Sequence, residues 1–280
     1  RFIPELGNLR VAAASAPVQA SRDITVEDLL THTSGLMSGG PSSDVQIDIG
    51  SQEDLGDVLP RLGAAPLDFE PGTRWAYSAQ FGFDVLARIV EIASGVAFDT
   101  FAKERIFDRL GMDDTFFYPA FGHPRLTTLY QSADSELSEI SDMTFMNGAY
   151  FSGGGGLFST AEDYLQFALV LLNDGQLGHA RLLGRRTAEL MHSAFVPDTL
   201  PGRSPGEGYG LGVRVVTDPI ARNTFLSEGS FGWSGAFNTH FFIDPQERIV
   251  GIFMTQSAFL TTRQQLRDDF ETAVMQALID

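Results

Sequence analysis

Apolar side chains recur every three or four positions in several stretches of the chain, with polar residues between them. This is the spacing of one face of a helix, so each stretch predicts an amphipathic helix. In two of them a threonine, Thr25 or Thr160, is followed three positions later by an aspartate, which predicts an N-cap closed by a carboxylate. The predicted helices cover residues 25–35, 84–95, 98–111, 159–172 and 262–279.

The pattern changes after about residue 205, where apolar and polar side chains alternate as they do in strands. The predicted strands cover residues 209–216, 237–243 and 248–255. Turn-forming residues at 244–247 predict that the last two strands form a hairpin. The fold class predicted from this order is α+β, with a mainly helical lobe over residues 1–204 and an antiparallel sheet, flanked by the C-terminal helix, over residues 205–280.

Two long stretches have no steady period, residues 36–57 and 113–150. We interpret the first as an excursion over the surface or the site, because Gly, Ser, Pro and Asp are spread through it. Its aspartates resemble a solvated acidic loop more than a calcium site, since they lack EF-hand spacing. These aspartates are Asp44, Asp48, Asp54 and Asp57.

Composition excludes several classes of function. The net charge of -17 argues against a nucleic-acid partner, because a phosphate backbone requires a basic surface. No run approaches the ~18 apolar residues of a membrane span, so we expect a soluble protein in a compartment left open. The chain has no cysteine and its 5 histidines lack metal-binding spacing, so no metal and no cofactor are expected. His32 is interpreted as structural, at a helix C-terminus where a cation or donor suits the free carbonyls.

Four segments of the chain match one protein family in the same order. They are residues 24–36, 71–79, 153–160 and 209–212. On these segments the chain resembles the superfamily of serine β-lactamases and penicillin-binding-protein-like hydrolases. Within it the resemblance is strongest to the class C branch and its family VIII carboxylesterase relatives. It covers nearly the whole chain, and it implies a β-lactamase/transpeptidase-like fold and an acyl-serine mechanism.

Tyr77 lies on a predicted short turn just before a helix, where a phenol can reach the edge of a pocket and transfer protons. The resemblance implies that Tyr77 relays the proton from the nucleophilic serine and later delivers it to the leaving group. A free phenol has a pKa of ~10, so this role requires a nearby cation, which the family supplies from a Ser-x-x-Lys motif. The alternative is an aromatic side chain that only packs at the helix start.

The segment at residues 232–236 resembles the strand that lines the site opposite the nucleophile. The resemblance implies that the Ala236 N–H is one of two oxyanion donors, worth ~3–4 kcal/mol of transition-state stabilisation. It also implies that Trp233, Ser234 and Gly235 contact the substrate across a cleft from the tyrosine. The indole stands where many relatives have a cation, so a carboxylated substrate loses its counter-charge. The alternative for the tryptophan is a core aromatic at a strand end.

The chain contains no Ser-x-x-Lys motif. Its one lysine, Lys103, follows Thr100 by three positions, but in a helix downstream of the tyrosine, and we interpret it as a solvated lysine. Neither Ser230 nor Ser234 stands in a Gly-x-Ser-x-Gly elbow. The family has its motif upstream of the part that this chain matches, and the chain starts at Arg1 without a methionine. We therefore expect the nucleophile and its lysine before Arg1.

These observations predict a serine hydrolase in which ester hydrolysis is favoured. The family often has an asparagine two positions after the tyrosine, where it holds the amide of a β-lactam, and this chain has Ala79 there. The alternatives are a β-lactamase or D-amino-acid peptidase and a non-catalytic relative that binds a ligand or peptide. The predicted partner is a small-molecule ester or amide, the oligomeric state is left open, and the chain alone is predicted to be inactive.

Overall fold

The first helical turns are fixed by side chains that accept otherwise unpaired backbone N–H groups. Thr25 Oγ1 accepts the N–H of Asp28 at 3.1 Å, and the Asp28 carboxylate accepts the N–H of Thr25 at 2.8 Å. Thr160 Oγ1 likewise accepts the N–H of Asp163 at 3.1 Å. Both threonines are therefore confirmed as N-caps, but the predicted closure by a carboxylate holds at Thr25 and is wrong at Thr160, because the Asp163 carboxylate accepts the N–H of Asp114 at 2.9 Å instead.

The computed structural model describes residues 2–119, 123–133, 136–140, 148–258 and 262–279. Within these ranges the α-helices are α1 (Val26–Leu30), α2 (Leu55–Ala64), α3 (Phe81–Ser94), α4 (Phe98–Ala102), α5 (Asp108–Leu110), α6 (Ala161–Leu172), α7 (Arg185–Met191), α8 (Pro219–Arg222) and α9 (Arg263–Gln276). Short 3₁₀ helices cover Pro4–Leu6 and Pro41–Asp44, and a π-helical turn covers Lys103–Phe107. No helix in the described ranges has the length and apolarity to cross a membrane.

The strands are mostly short. They are β1 (Arg10–Val11), β2 (Val18–Gln19), β3 (Phe116–Phe117), β4 (Leu129–Ala133), β5 (Glu136–Ile140), β6 (Leu157–Phe158), β7 (Gln176–Leu177), β8 (Ala180–Arg181), β9 (Glu207–Tyr209), β10 (Arg214–Val216), β11 (Phe231–Ser234), β12 (His240–Asp244), β13 (Ile249–Phe253) and β14 (Ser257–Ala258). The predicted hairpin is confirmed as β12 and β13. The irregular stretch at 113–150 contains β3 to β5, and its residues 120–122, 134–135 and 141–147 lie outside the described ranges.

Two predicted elements end earlier than expected because the backbone turns into the left-handed region. The first helix was expected to reach Gly35 but ends at Leu30, and His32 follows it with a φ of 56°. The strand expected over residues 209–216 is interrupted at Gly212, which has a φ of 90°. Its two halves, β9 and β10, pair antiparallel with each other.

Helix α2 begins inside the stretch interpreted as an irregular excursion. Asp54 accepts the N–H groups of Gly56 at 2.7 Å and Asp57 at 3.2 Å, and Asp57 accepts the N–H of Asp54 at 3.0 Å. The interpretation of these two aspartates as part of a solvated loop is wrong, because they form a capping box. The helix follows because its apolar side chains are buried, and these are Leu55, Val58, Leu59 and Leu62.

The chain forms two units that interleave along the sequence. One consists of Arg1–Ile106, Asn147–Leu157 and Thr199–Arg203, and the other of Phe107–Met146, Phe158–Asp198 and Ser204–Asp280. In the first unit α1, α2 and α4 pack against α3 around fully buried side chains such as Leu36 and Leu67. The division into lobes at residue 204 stays a prediction.

The second unit contains a five-stranded antiparallel sheet with the order β13-β12-β11-β10-β9. Alternating side chains of β12 supply both of its faces. Phe241 and Ile243 pack with α6, whereas Phe242 packs with Phe270 and Val274 of α9. The prediction that the C-terminal helix covers one face of the sheet is therefore confirmed.

Candidate active site

Tyr77 lies in irregular backbone just before α3, and it is 40% exposed. The next residue, Ser78, is buried, and its Oγ accepts the N–H of Gly82 in the first turn of α3 at 3.1 Å. This hydrogen bond joins the turn to the helix. The phenol is therefore presented to solvent from a backbone that is fixed on its C-terminal side.

The buried His32 holds the backbone on both sides of Tyr77. Its carbonyl accepts the N–H of Ala76 at 3.1 Å, and its ring Nδ1 accepts the N–H of Ser78 at 3.3 Å. The imidazole also contacts the Tyr77 ring edge-on, with 4.7 Å between ring centroids. Because Nδ1 accepts a hydrogen bond, it has no proton of its own. His32 is thus placed to fix the orientation of the tyrosine.

The His32 imidazole is neutral. Burial, with a smaller contribution from the positive charge of Arg203, lowers the pKa of His32 to about 3. The rings of Trp75, Tyr77 and Phe83 surround the imidazole and supply that burial. The cation role expected of His32 at a helix end is therefore wrong, because the ring is uncharged.

Trp75 is one of the aromatic rings around His32, the aromatic cluster, and it also contacts residues 201–203. The backbone N–H of Trp75 donates to the Pro201 carbonyl at 2.8 Å, and the Arg203 guanidinium lies over the indole, 4.3 Å from its centroid. Gly202 has a φ of 95°, and a Cβ there would lie 2.0 Å from the Trp75 carbonyl oxygen. A side chain at position 202 would clash with this carbonyl, so the position requires glycine. The close approach places the Arg203 guanidinium beside the aromatic cluster.

The glycine run at 153–156 is held against α3 by the buried carboxylate of Asp84. Asp84 accepts hydrogen bonds from the Tyr150 hydroxyl at 2.7 Å, from Ser152 Oγ and from the Gly154 N–H at 3.2 Å. Burial outweighs these bonds and raises the pKa of Asp84. A Cβ on Gly153 would lie 2.2 Å from a carbonyl oxygen of α3, which explains why this segment needs glycine.

The strand segment that was expected to line the site is open on one side. Beyond Gly232, β11 has a ladder partner only in β12 among the described residues. The Gly235 N–H closes a turn by donating to the Thr239 carbonyl at 2.8 Å. Ala236 is exposed, and its N–H has no hydrogen-bond partner in the described part of the chain. The role of this N–H as an oxyanion donor stays a prediction.

Trp233 has a packing role in addition to any contact with substrate. Its indole meets the Tyr209 ring edge-on at 5.3 Å between centroids, and it packs with the apolar cluster between the sheet and α6. It remains partly exposed. The roles of Trp233, Ser234 and Gly235 in binding substrate, and the expectation that Tyr77 faces them, stay predictions.

A series of hydrogen bonds leads from Ser234 into the protein. Ser234 Oγ lies 2.9 Å from Nδ1 of His240, and His240 Nε2 lies 3.0 Å from Oε1 of Glu271 on α9. Ser234 and His240 face each other as a register pair of β11 and β12. The sequence analysis did not predict this cluster, because the three residues have no motif spacing. Only the strand register and the docking of α9 bring them together.

Glu271 is buried and remains ionised. Burial raises its pKa, but the hydrogen bond with His240 and the charges of Arg214 and Arg222 outweigh this and lower the pKa of Glu271 to about 2. Arg214 Nη2 lies 2.6 Å from Oε1, and Arg222 Nη1 lies 3.2 Å from Oε2. Glu207 contacts both arginines from the other side, at 3.7 and 3.3 Å. The result is a buried ion network of alternating charge.

The Thr100–Lys103 pair shows no sign of catalytic organisation. Lys103 is exposed, which supports its interpretation as a solvated lysine. Among the described residues, the hydrogen-bond partner of Thr100 Oγ1 is the carboxylate of its neighbour Asp99, at a long distance of 3.4 Å. Within the described ranges, no group of three or more His, Asp or Glu side chains could hold a metal ion.

The chain matches the family model described as Beta-lactamase over residues 5–275. It belongs to the Beta-lactamase family. This places the chain in a superfamily of serine hydrolases, and its similar proteins include an esterase, an acyltransferase and a putative D-alanyl-D-alanine carboxypeptidase.

Individual members of the family are similar along most of the chain. Protein Rv1367c of Mycobacterium tuberculosis is 33% identical over an alignment of 281 positions, which covers 91% of this chain and 69% of that protein. Esterase EstB of Burkholderia gladioli is 29% identical, over 92% of this chain and 70% of the esterase. The solved structure of EstCE1, a hydrolase with promiscuous acyltransferase activity, has a TM-score of 0.79 and 27% identity over 97% of this chain and 79% of that one. The predicted β-lactamase/transpeptidase-like fold is confirmed.

Proposed function

We propose that the protein is a serine esterase that cleaves small acyl esters through an acyl-serine intermediate, in the class C-like branch that includes the family VIII carboxylesterases. The observation that carries the proposal is the exposed Tyr77 phenol, whose flanking backbone is held by two hydrogen bonds to a buried, neutral His32. A fixed phenol at the surface is suited to repeated proton transfer, because its geometry is set before the substrate arrives.

The proposed reaction has two steps. In the first, the serine of a Ser-x-x-Lys motif attacks the ester carbonyl, Tyr77 takes the serine proton and passes it to the departing alcohol, and the carbon–oxygen bond of the ester breaks. In the second, water attacks the acyl carbon, the bond between that carbon and the serine oxygen breaks to release the carboxylic acid, and Tyr77 passes a proton from the water to the serine oxygen. The Ala236 N–H donates to the oxyanion in both steps. We propose that the motif lies upstream of this sequence, since no serine here is followed by lysine at the third position.

Two positions favour esters over β-lactams. Ala79 has no side-chain amide to hold the amide of a β-lactam, and Trp233 offers an indole where many relatives offer a cation. Ester hydrolysis requires neither a side-chain amide at the first position nor a cation at the second, so both residues favour esters. The names of two similar proteins, Esterase EstB and the hydrolase EstCE1, support this choice.

The test compares two substrate classes in the complete protein. We expect kcat/KM for p-nitrophenyl acetate and butyrate to exceed kcat/KM for a penicillin and a cephalosporin. Y77F removes the proton carrier and is expected to lower kcat by about 10²–10⁴-fold. Y130F is the matched control, because Tyr130 is 41% exposed, close to the exposure of Tyr77, and no catalytic role is proposed for it.

Two results would contradict the proposal. A higher kcat/KM for the β-lactams would show that Ala79 and Trp233 do not set specificity as argued. Ester hydrolysis that is equally fast in Y77F and Y130F would remove Tyr77 from the mechanism. A complete protein with no hydrolytic activity would instead favour the non-catalytic, ligand-binding relative.

A further inference from the structure

We propose that His240 is a positioning residue, which with Glu271 locks the end of β11 and so fixes the oxyanion donor at Ala236. This inference rests on the proposed function, since it assigns the machinery that holds one part of the site. The lock is the hydrogen-bonded series Ser234–His240–Glu271, and the arginines behind Glu271 fix its inner end.

The end of β11 needs such a lock because ordinary sheet pairing stops there. On the β10 side the register pairs end at Gly232, so Ser234 has a ladder neighbour only in β12 among the described residues. Past Ser234 the chain turns, and Ala236 lies exposed two residues further on. A strand end paired on one side moves more easily than one paired on both, unless side chains restrain it.

Two side chains of helix α9, one helical turn apart, hydrogen-bond to the residues that hold this strand end. Glu271 binds His240, which in turn binds Ser234. Arg267, four residues earlier and on the same face of the helix, donates from Nη2 to the Gly235 carbonyl at 3.0 Å. The two contacts hold Ser234 and Gly235, which are the two residues just before Ala236. A displacement of this segment therefore has to break one of them.

The charge of Glu271 fixes the direction of the inner hydrogen bond. An ionised carboxylate only accepts, so His240 Nε2 carries a hydrogen. The other ring nitrogen, Nδ1, shares a hydrogen bond with the Ser234 hydroxyl, so both ends of the imidazole are held. The connectivity is that of a serine–histidine–acid triad, but the His240 side chain is 0% exposed and cannot pass a proton to a leaving group.

The kinetic test uses two replacements of His240 in the complete protein, assayed with p-nitrophenyl butyrate. H240L removes both hydrogen bonds, and we expect kcat to fall by about 10–100-fold with little change in KM, because a displaced donor weakens the transition state rather than ground-state binding. H240Q offers a carbonyl to Ser234 and an amide N–H to Glu271, and it is expected to restore most of kcat. F270L is the control for lost packing, since Phe270 contacts the His240 ring from α9 without joining the hydrogen bonds.

A second readout does not depend on activity. In protein labelled with ¹⁵N-histidine, the His240 resonances, assigned by their loss in H240Q, should show a protonated Nε2 and an Nδ1 that shifts in S234A. An unshifted Nδ1 in S234A would overturn the inference even if no ester is hydrolysed. Equal losses of kcat in H240L and F270L, or no recovery in H240Q, would overturn it while leaving ester hydrolysis by Tyr77 in place.

Discussion

The two buried histidines of this protein hold candidate catalytic groups in opposite ways. His32 lies among aromatic rings, is neutral, and accepts a backbone N–H next to Tyr77. His240 lies between Ser234 and an ionised glutamate that two arginines also bind. The first arrangement depends on desolvation and backbone hydrogen bonds, and the second on charge.

The difference teaches that a buried imidazole takes its role from its neighbours. At His32, burial and the charge of Arg203 both oppose protonation, so its pKa falls to about 3 and Nδ1 accepts a hydrogen bond. Beside His240 a carboxylate remains ionised, so one ring nitrogen must donate. The two regions should therefore respond differently to mutation and to acid.

The largest expected effect comes from removing the charge at the centre of the network. E271Q leaves Arg214 and Arg222 without their buried carboxylate, and we expect the free energy of unfolding at pH 7 to fall by about 3–5 kcal/mol. Urea denaturation measures this loss. E189Q is the matched control, because Glu189 pairs with Arg185 and Arg186 at the surface and should cost little.

Acid should reduce the cost of E271Q. The pKa of Glu271 is lowered from 4.5 to about 2, so the stabilisation from its charge is complete above about pH 4.5 and is lost as the pH falls toward 2. The difference between wild type and E271Q should therefore shrink over that interval. A difference that stays constant down to pH 2.5 would contradict the role given to the carboxylate.

A smaller effect is expected at His32, and it distinguishes the acceptor role from simple packing. H32L leaves the buried Ser78 N–H without a partner and places a branched residue at a φ of 56°, so a loss of about 2–4 kcal/mol is expected. H32N keeps a side-chain oxygen as acceptor and tolerates that φ, so its loss should be clearly smaller. Equal losses in H32L and H32N would contradict the acceptor role.

The same histidine should make the wild-type protein sensitive to mild acid. The pKa of His32 is about 3 in the folded state and 6.5 in the unfolded chain. Above pH 6.5 neither state binds the proton, so His32 does not change the free energy of unfolding with pH. Between pH 6.5 and 3 the unfolded chain binds the proton and the folded protein does not, so the free energy of unfolding falls as the pH is lowered. Between pH 7.5 and pH 4, wild type should lose about 3 kcal/mol more than H32N. Parallel pH profiles for the two proteins would show that His32 is not held neutral.

The elements that could be predicted from sequence are those fixed by local signals. A Thr–Asp capping pair marks the starts of α1 and α6, and period and alternation mark α3, α9 and the hairpin of β12 and β13. Helix α2 has the same capping signal at Asp54 and Asp57 but contains Gly56, Pro60 and Gly63. These residues have low helix propensity and interrupt the helical pattern of apolar side chains, so the sequence does not predict this helix. The helix forms because burial of its leucines outweighs that low propensity.

The candidate site could be predicted only in part, because much of it depends on backbone turns and distant contacts. Tyr77 and Ala236 follow from family resemblance. The contact of His32 with Tyr77 depends on a left-handed turn after α1, and a histidine in the sequence does not predict such a turn. Glu271 reaches His240 across 31 positions, through the docking of α9 on the sheet. No spacing in the sequence carries that information.

The central proposal is that the nucleophile is the serine of a Ser-x-x-Lys motif and not a hydroxyl group of this 280-residue chain. It is tested by incubating the purified 280-residue chain with p-nitrophenyl butyrate and a fluorophosphonate probe, beside the complete protein. We predict no hydrolysis above the buffer blank and no covalent label on the chain, with labelling of the complete protein at the serine of its motif. A label on the chain that is lost in S234A would contradict the account, because it would make Ser234, His240 and Glu271 a working triad.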